Sequence, residues 1–168
     1  MINISYVFGS WVQSLRNNEH RRVLTDMQRA AVAEGANYML YNLVKATPTG
    51  ATAALRTSTQ AVYSSDRTLA RVGPIGAASL YAPFVEDGTR PHMPPFNPIA
   101  YWTSRKFGLP LGSRENDRAA WGVMRKIARS GTKPTRYVYT TWSRHRPNAE
   151  TLMTNAANRV LMAWYHGR

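Results

Sequence analysis

Apolar side chains recur at three- and four-residue steps between Glu19 and Lys45, where Leu24, Met27, Ala31, Tyr38 and Met39 share one face and predict a long helix. Asn17-Asn18 offers polar caps ahead of it, and Pro48 forces its end, because a residue before proline is pushed out of helical space. Gly35 weakens this helix by about 1 kcal/mol relative to Ala, which predicts close packing against another backbone. Thr49-Gly50 predicts a turn. From Leu55 to Val72 the period drops towards two: Thr57, Thr59, Ala61 and Tyr63 alternate with Ser58, Gln60 and Val62. Ser65-Asp66 interrupts that run and Leu69 resumes it, the pattern of a β-hairpin. Gly73-Pro74 and Gly76 close the hairpin, and Ile75 to Ser79 reads as a small-residue loop, expected to be mobile in the isolated chain.

The segment Tyr81 to Arg90, YAPFVEDGTR, runs directly into PHMPPFNPIAYW. Gly88 tolerates a positive φ, while Pro91, Pro94, Pro95 and Pro98 each lock φ and remove an amide donor, so the segment predicts a rigid corner. Asn97-Pro98 then reads as an N-cap with proline at the first helical position, opening a short helix to Phe107 with Ile99 and Trp102 on its inner side. Ser113 caps a second helix, Arg114 to Arg129, with an inner stripe of Ala120, Val123, Met124 and Ile127; Gly131 stops it. Thr135 to Thr141, TRYVYTT, alternates aromatic and β-branched residues and predicts a strand joining the hairpin. Pro147 is expected to begin a last helix, to residue 166, that buries Leu152, Met153, Ala156, Val160, Leu161 and Trp164. The order α, β-β, α-α, β, α describes an α+β fold: a small, mainly antiparallel sheet packed against a long N-terminal helix, two middle helices and a C-terminal helix.

A chain of 168 residues is expected to form a single domain, 1–168. Five Trp and nine Tyr in an otherwise ordinary apolar fraction argue against disorder. No apolar run approaches the length that spans a bilayer, and MINISYVFGSW lacks the basic start and long apolar centre of a signal peptide; a soluble protein made in the cytosol is expected. The absence of cysteine excludes disulfides, thiol catalysis and thiolate metal sites.

Charge changes the picture most. Lys and Arg number 22 against 9 Asp and Glu, a net charge of +13. Between residues 105 and 146, eleven Lys and Arg stand against Glu115 and Asp117. Arg outnumbers Lys eighteen to four, which favours bidentate pairing with carboxylates or phosphates. Such a field serves a nucleic-acid surface, a subunit interface with acidic neighbours, or a plainly solvated face.

Catalytic and metal chemistry find little support. His20, His92, His145 and His166 are scattered, and the nearest ligand-like group, Glu86, Asp87 and His92, reads better as turn capping and ion pairing. There is no glycine-flanked serine on a strand-to-helix turn and no phosphate-cradling glycine loop. The enzyme alternative is a small basic nucleic-acid-binding protein or ribonuclease-like toxin, with His145 or His92 as general base and Arg136, Arg144 or Arg146 stabilising phosphate. Tyr137, Tyr139 and Trp142, interleaved with Arg136 and Arg144, offer base-stacking surfaces, but alternating aromatics more often pack a core.

One ordered set of motifs goes further: Pro48 and Thr49-Gly50, then Leu55, then Tyr81, Ala82, Val85, Glu86, Gly88 and Thr89, then Pro98, Ile99, Trp102 and Lys106, then Gly131, Thr132 and Pro134. Over residues 47–139 this order resembles the small tail-component family of long-tailed bacteriophages, the tail-completion or head-to-tail joining (neck) proteins. Asp87 stands where the pattern has an apolar or aromatic residue, and the basic stretch after Trp142 has no counterpart. The resemblance implies a non-catalytic virion protein without cofactors, forming a homo-oligomeric ring, expected as a hexamer, between a connector and a tail-terminator or tail-tube protein. Glu86, Asp87, Gly88, Thr89, Arg114, Arg118, Arg125 and Arg129 are then candidates for subunit contacts. Arg105, Lys106, Lys133, Arg136, Arg144 and Arg146 are candidates to meet DNA in the channel without reading its sequence.

Overall fold

A computed structural model describes residues 1–5, 18–50 and 52–167. The chain is α+β. Its described residues form strand β1 (Ile2–Ser5), helix α1 (Asn18–Ala46), a short helix α2 (Ala54–Thr57), strands β2 (Thr59–Tyr63) and β3 (Leu69–Pro74), and helices α3 (Ala78–Asp87), α4 (Phe96–Phe107), α5 (Arg114–Ser130) and α6 (Tyr137–His166). They group into two compact units, one of residues 1–47, 59–75 and 138–168, the other of residues 48–58 and 76–137.

In the first unit the strands lie in the order β1-β3-β2, antiparallel throughout. Ile2 and Ala61 both stand opposite Val72, and Ile4 and Tyr63 both stand opposite Ala70, so one face of the sheet collects these six side chains. Helix α1 covers that face with Met27, Ala31, Val32, Ala36, Met39 and Leu43, all buried. The hairpin tip is closed by Asp66, whose carboxylate accepts from the Ser64 hydroxyl at 2.6 Å, the Thr68 hydroxyl at 2.9 Å and the Thr68 amide at 3.1 Å. Those hydrogen bonds, Ser64 foremost, pull its pKa down to about 2. Helix α6 lies along α1 at Gly35: a Cβ there would come within 2.6 Å of the Met153 sulfur. The close approach expected at this glycine is therefore real, but it is made by a side chain. Further along, the Tyr38 hydroxyl lies 3.0 Å from His145 Nδ1 and accepts from Asn148 Nδ2 at 3.2 Å.

The long N-terminal helix, the hairpin and the helices Phe96–Phe107 and Arg114–Ser130 follow the sequence pattern closely, while six local expectations need correction; Asn17 lies outside the described residues. Thr135 to Thr141 is not a strand. Tyr137 opens α6, and because Tyr137 and Thr141 are four residues apart and both buried, they begin a helical stripe that continues through Ala149, Met153 and Ala156. The strand that does complete the sheet is β1. Pro147 does not start the last helix but sits inside it, one turn after an exposed Ser143 whose carbonyl loses its helical donor at the solvent-facing side. Leu55 to Thr57 is the turn of helix α2 rather than the start of the hairpin. The loop Ile75 to Ser79 is shorter than expected, since α3 begins at Ala78 after a left-handed Gly76. Most of the expected corner is helix too: α3 runs through Pro83 to Asp87, and the corner proper spans residues 88–95. Helix α4 starts at Phe96, so Asn97 is no cap; Pro98 falls in the first turn, where its missing amide costs nothing.

In the second unit α4 and α5 pack as a helical hairpin through a polar latch. Asn116, fully buried, donates to the Ala100 carbonyl at 3.0 Å and accepts from the buried Thr103 hydroxyl at 2.7 Å. Ser113 caps α5 as expected, accepting from the Asn116 amide at 3.2 Å.

Candidate subunit-docking site

The two Gly-Thr pairs singled out in the sequence, Gly88-Thr89 after α3 and Gly131-Thr132 after α5, meet in space. Each threonine amide donates to the other's carbonyl at 3.2 Å, making an isolated antiparallel bridge, and the two hydroxyls lie 3.1 Å apart. Both glycines have a backbone that other residues scarcely adopt, φ 74 and ψ -176 at Gly88 and φ 66 and ψ -160 at Gly131. Each also presses on the opposite segment: a Cβ on Gly88 would collide with the Thr132 carbonyl oxygen, and one on Gly131 with that of Thr89. Glycine is required twice in one clasp.

Beyond the bridge the chain continues back over the end of α3. The Thr135 amide and hydroxyl donate to the Val85 carbonyl at 3.1 and 2.7 Å, and the Arg136 amide donates to the Glu86 carbonyl at 3.0 Å. Carbonyls that the end of a helix leaves orphaned are thus satisfied by the segment that starts α6. Arg136 takes a left-handed φ of 53 to do so, and its guanidinium lies 3.8 Å from the Asp87 carboxylate. Both side chains of that pair are more than half exposed, so it contributes at most about 1 kcal/mol and exchanges readily for another partner. Tyr137 is buried at 4 % exposure beneath this clasp, with no hydrogen-bond partner for its hydroxyl. Burial, then the charges of Glu86 and Tyr81, push its pKa up to about 12.

The clasp holds a helix that is scarcely covered. Of the ten residues of α3, ASLYAPFVED, Ala78 is the buried one. Leu80 is 77 % exposed, Phe84 59 % and Tyr81 39 %, and their spacing of one, three and four residues puts them on one face. Glu86 and Asp87 close the same helix. An apolar face ending in two carboxylates is the least ordinary surface of this unit, since large exposed apolar patches mark interaction sites.

Helix α5 carries the opposite character. Arg125, Lys126 and Arg129 project from its C-terminal half, where the helix dipole favours cations, and from residue 118 to its end the helix has no acidic residue. With Gly122 and Ser130 these three line an open depression of about 370 Å³. Trp121 stands beside it, 48 % exposed and 5.5 Å from the Phe96 ring. Apart from its own helix backbone and chain neighbours, no atom lies within 4 Å of where a Gly122 side chain would begin. A glycine inside an exposed helix costs about 1 kcal/mol relative to Ala, and here the packing of this unit offers nothing in exchange. Sequence periodicity passes over Gly122, although a glycine within a helical pattern is itself the signal that would have drawn attention to it.

Of the other candidates, Arg114 and Arg118 lie in the first turns of α5 near Glu115 and Asp117, and Arg105 and Lys106 end α4. Lys133 belongs to the clasp, exposed. Arg144 and Arg146 lie in the other unit, on α6; Arg146 donates to Glu150 at 2.7 Å and stacks 5.6 Å from the Trp142 ring centre. His145 is on the helix between them, with Nδ1 at the Tyr38 hydroxyl. His92 lies 2.9 Å through Nδ1 from the Arg90 carbonyl, to which it donates. Among the described residues no three His, Asp or Glu side chains come together as metal ligands do, and no helix is long and apolar enough to cross a membrane. Compared with protein families, curated proteins and solved structures, the chain gives no match.

Proposed function

We propose that this chain is a structural protein of a bacteriophage virion, a subunit of a ring at the head-to-tail junction or the top of the tail. The observation that carries the reading is the uncovered apolar face of α3, Leu80, Tyr81 and Phe84, held in a fixed attitude by the double Gly-Thr clasp. A helix so little buried within its own chain gains its stability from a neighbour. The motifs that resemble the tail-component family support the same reading, because Tyr81 to Thr89 and Gly131 to Pro134 form one structural device. In that ring Arg105, Lys106, Lys133, Arg136, Arg144 and Arg146 are the candidates to attract the DNA that passes through, by phosphate contacts that need no base recognition.

The test is genetic and structural together. Particles made without this protein should accumulate filled heads and free tails that fail to join, and supplying the protein should restore joining. Normal particles in its absence, or cleavage of RNA by the purified protein, would reject the proposal in favour of a small basic ribonuclease.

A further inference from the structure

A closed ring of identical subunits needs a heterologous contact, in which one patch fits a different patch on the next copy. Two patches with complementary properties exist within one unit, on separate helices with no residue in common. Helix α3 offers Leu80, Tyr81 and Phe84 followed by Glu86 and Asp87, an apolar ridge with an acidic end. Helix α5 offers a notch at Gly122 beside exposed Trp121, rimmed by Arg125, Lys126 and Arg129. The geometry points to the second as the seat of the first: Phe84 of one copy enters the notch of the next, and Asp87 meets the arginines on its rim. This inference rests on the ring reading and gives it a definite contact.

Three observations favour a second copy of this chain as the occupant. The chain is strongly basic, and Glu86 and Asp87 are a rare acidic pair within it, adjacent to the apolar ridge; charge complementarity matches the ridge to the α5 rim. Gly122 is a glycine where the packing of this unit does not require one, and its bare backbone lets an aromatic ring approach more closely than any side chain would allow. The Arg136–Asp87 pair is loose and exposed at 3.8 Å, so Asp87 can exchange its partner as the surfaces meet.

The chain contains no cysteine, so engineered thiols report contacts without background. Full-length chains carrying Phe84→Cys and Gly122→Cys are purified separately, mixed and oxidised. A disulfide-linked pair in the mixture, with none in either chain alone, is the expected result. A link within the Phe84→Cys sample alone would mean that two ridges face each other, which overturns the inference. Oligomers that form with no link between positions 84 and 122 would also overturn it while leaving the ring reading standing; failure to associate at all would remove both. In a second measurement, Gly122→Leu fills the notch without touching this unit's packing. Self-association should weaken at least tenfold with no fall in the thermal midpoint of the dissociated subunit, measured below the association concentration, and unchanged association would count against the seat.

Discussion

Glycines 88 and 131 show how much of this fold depends on single atoms being absent. Each adopts a backbone that costs other residues about 1–3 kcal/mol, before any collision with the facing carbonyl is counted. Gly88→Ala and Gly131→Ala should each lower the stability of the α3–α5 unit by at least about 2 kcal/mol, measured by chemical denaturation, while Gly108→Ala, with open space around it, should cost less. Gly122→Ala should act in the opposite sense, raising stability by up to about 1 kcal/mol while weakening association. Two titrating groups contribute at the edges of the pH range. The Asp66 carboxylate is held down to about 2, so its contribution is present above the ordinary carboxylate pKa and is lost as pH falls from about 4 towards 2. Tyr137 is pushed up to about 12, so its contribution is intact below about 10 and is lost as pH rises through 12. Asp66→Ala should flatten the acid limb of a stability–pH profile, and Tyr137→Phe the alkaline limb; profiles unchanged by these substitutions would mean that other groups set both limits.

At the scale of elements, what the sequence disclosed and what it hid divide along a physical line. Helices α1, α4 and α5 were legible because their apolar stripes and stops agree with one another, and in α5 the cap as well, at Ser113 and Gly131. The start of α6 was not. TRYVYTT alternates like a strand, yet Tyr137 and Thr141 also lie one helical turn apart, and five residues cannot separate the two periods. Strand β1, INIS, alternates apolar and polar residues over only four positions, too short a run to stand out, and its pairing with β3 is a non-local choice. Helix α3 was hidden by Pro83 and by a composition that reads as a rigid corner, and its aromatics Tyr81 and Phe84 stand exposed. The candidate site was legible in its motifs, Glu86 to Thr89 and Gly131-Thr132, while the meeting of those motifs and the notch at Gly122 became visible in three dimensions. The uncovered face of α3 belongs to this scale. Phe84→Ser removes a ring that is 59 % exposed, so the fold should change by less than about 0.5 kcal/mol, while any assembly built on α3 should fail. Loss of folding rather than of assembly in that variant would show that the ridge is packed within the chain after all.

At the scale of the whole molecule, a net charge of +13 repels like copies at long range, and association must overcome it through local complementarity. Moderate salt should therefore help subunits meet by screening, and high salt should weaken the contacts between Asp87 and the α5 arginines. The charge-reversed pair Asp87→Arg with Arg129→Glu should restore an association that either change alone abolishes. The central claim, that this chain is built to dock on copies of itself, is tested most directly by the native mass of the purified full-length protein at rising concentration. The account predicts a single closed multiple of the subunit mass, lost on Phe84→Ser. A monomer at every concentration, with the α3 face remaining exposed, would contradict it.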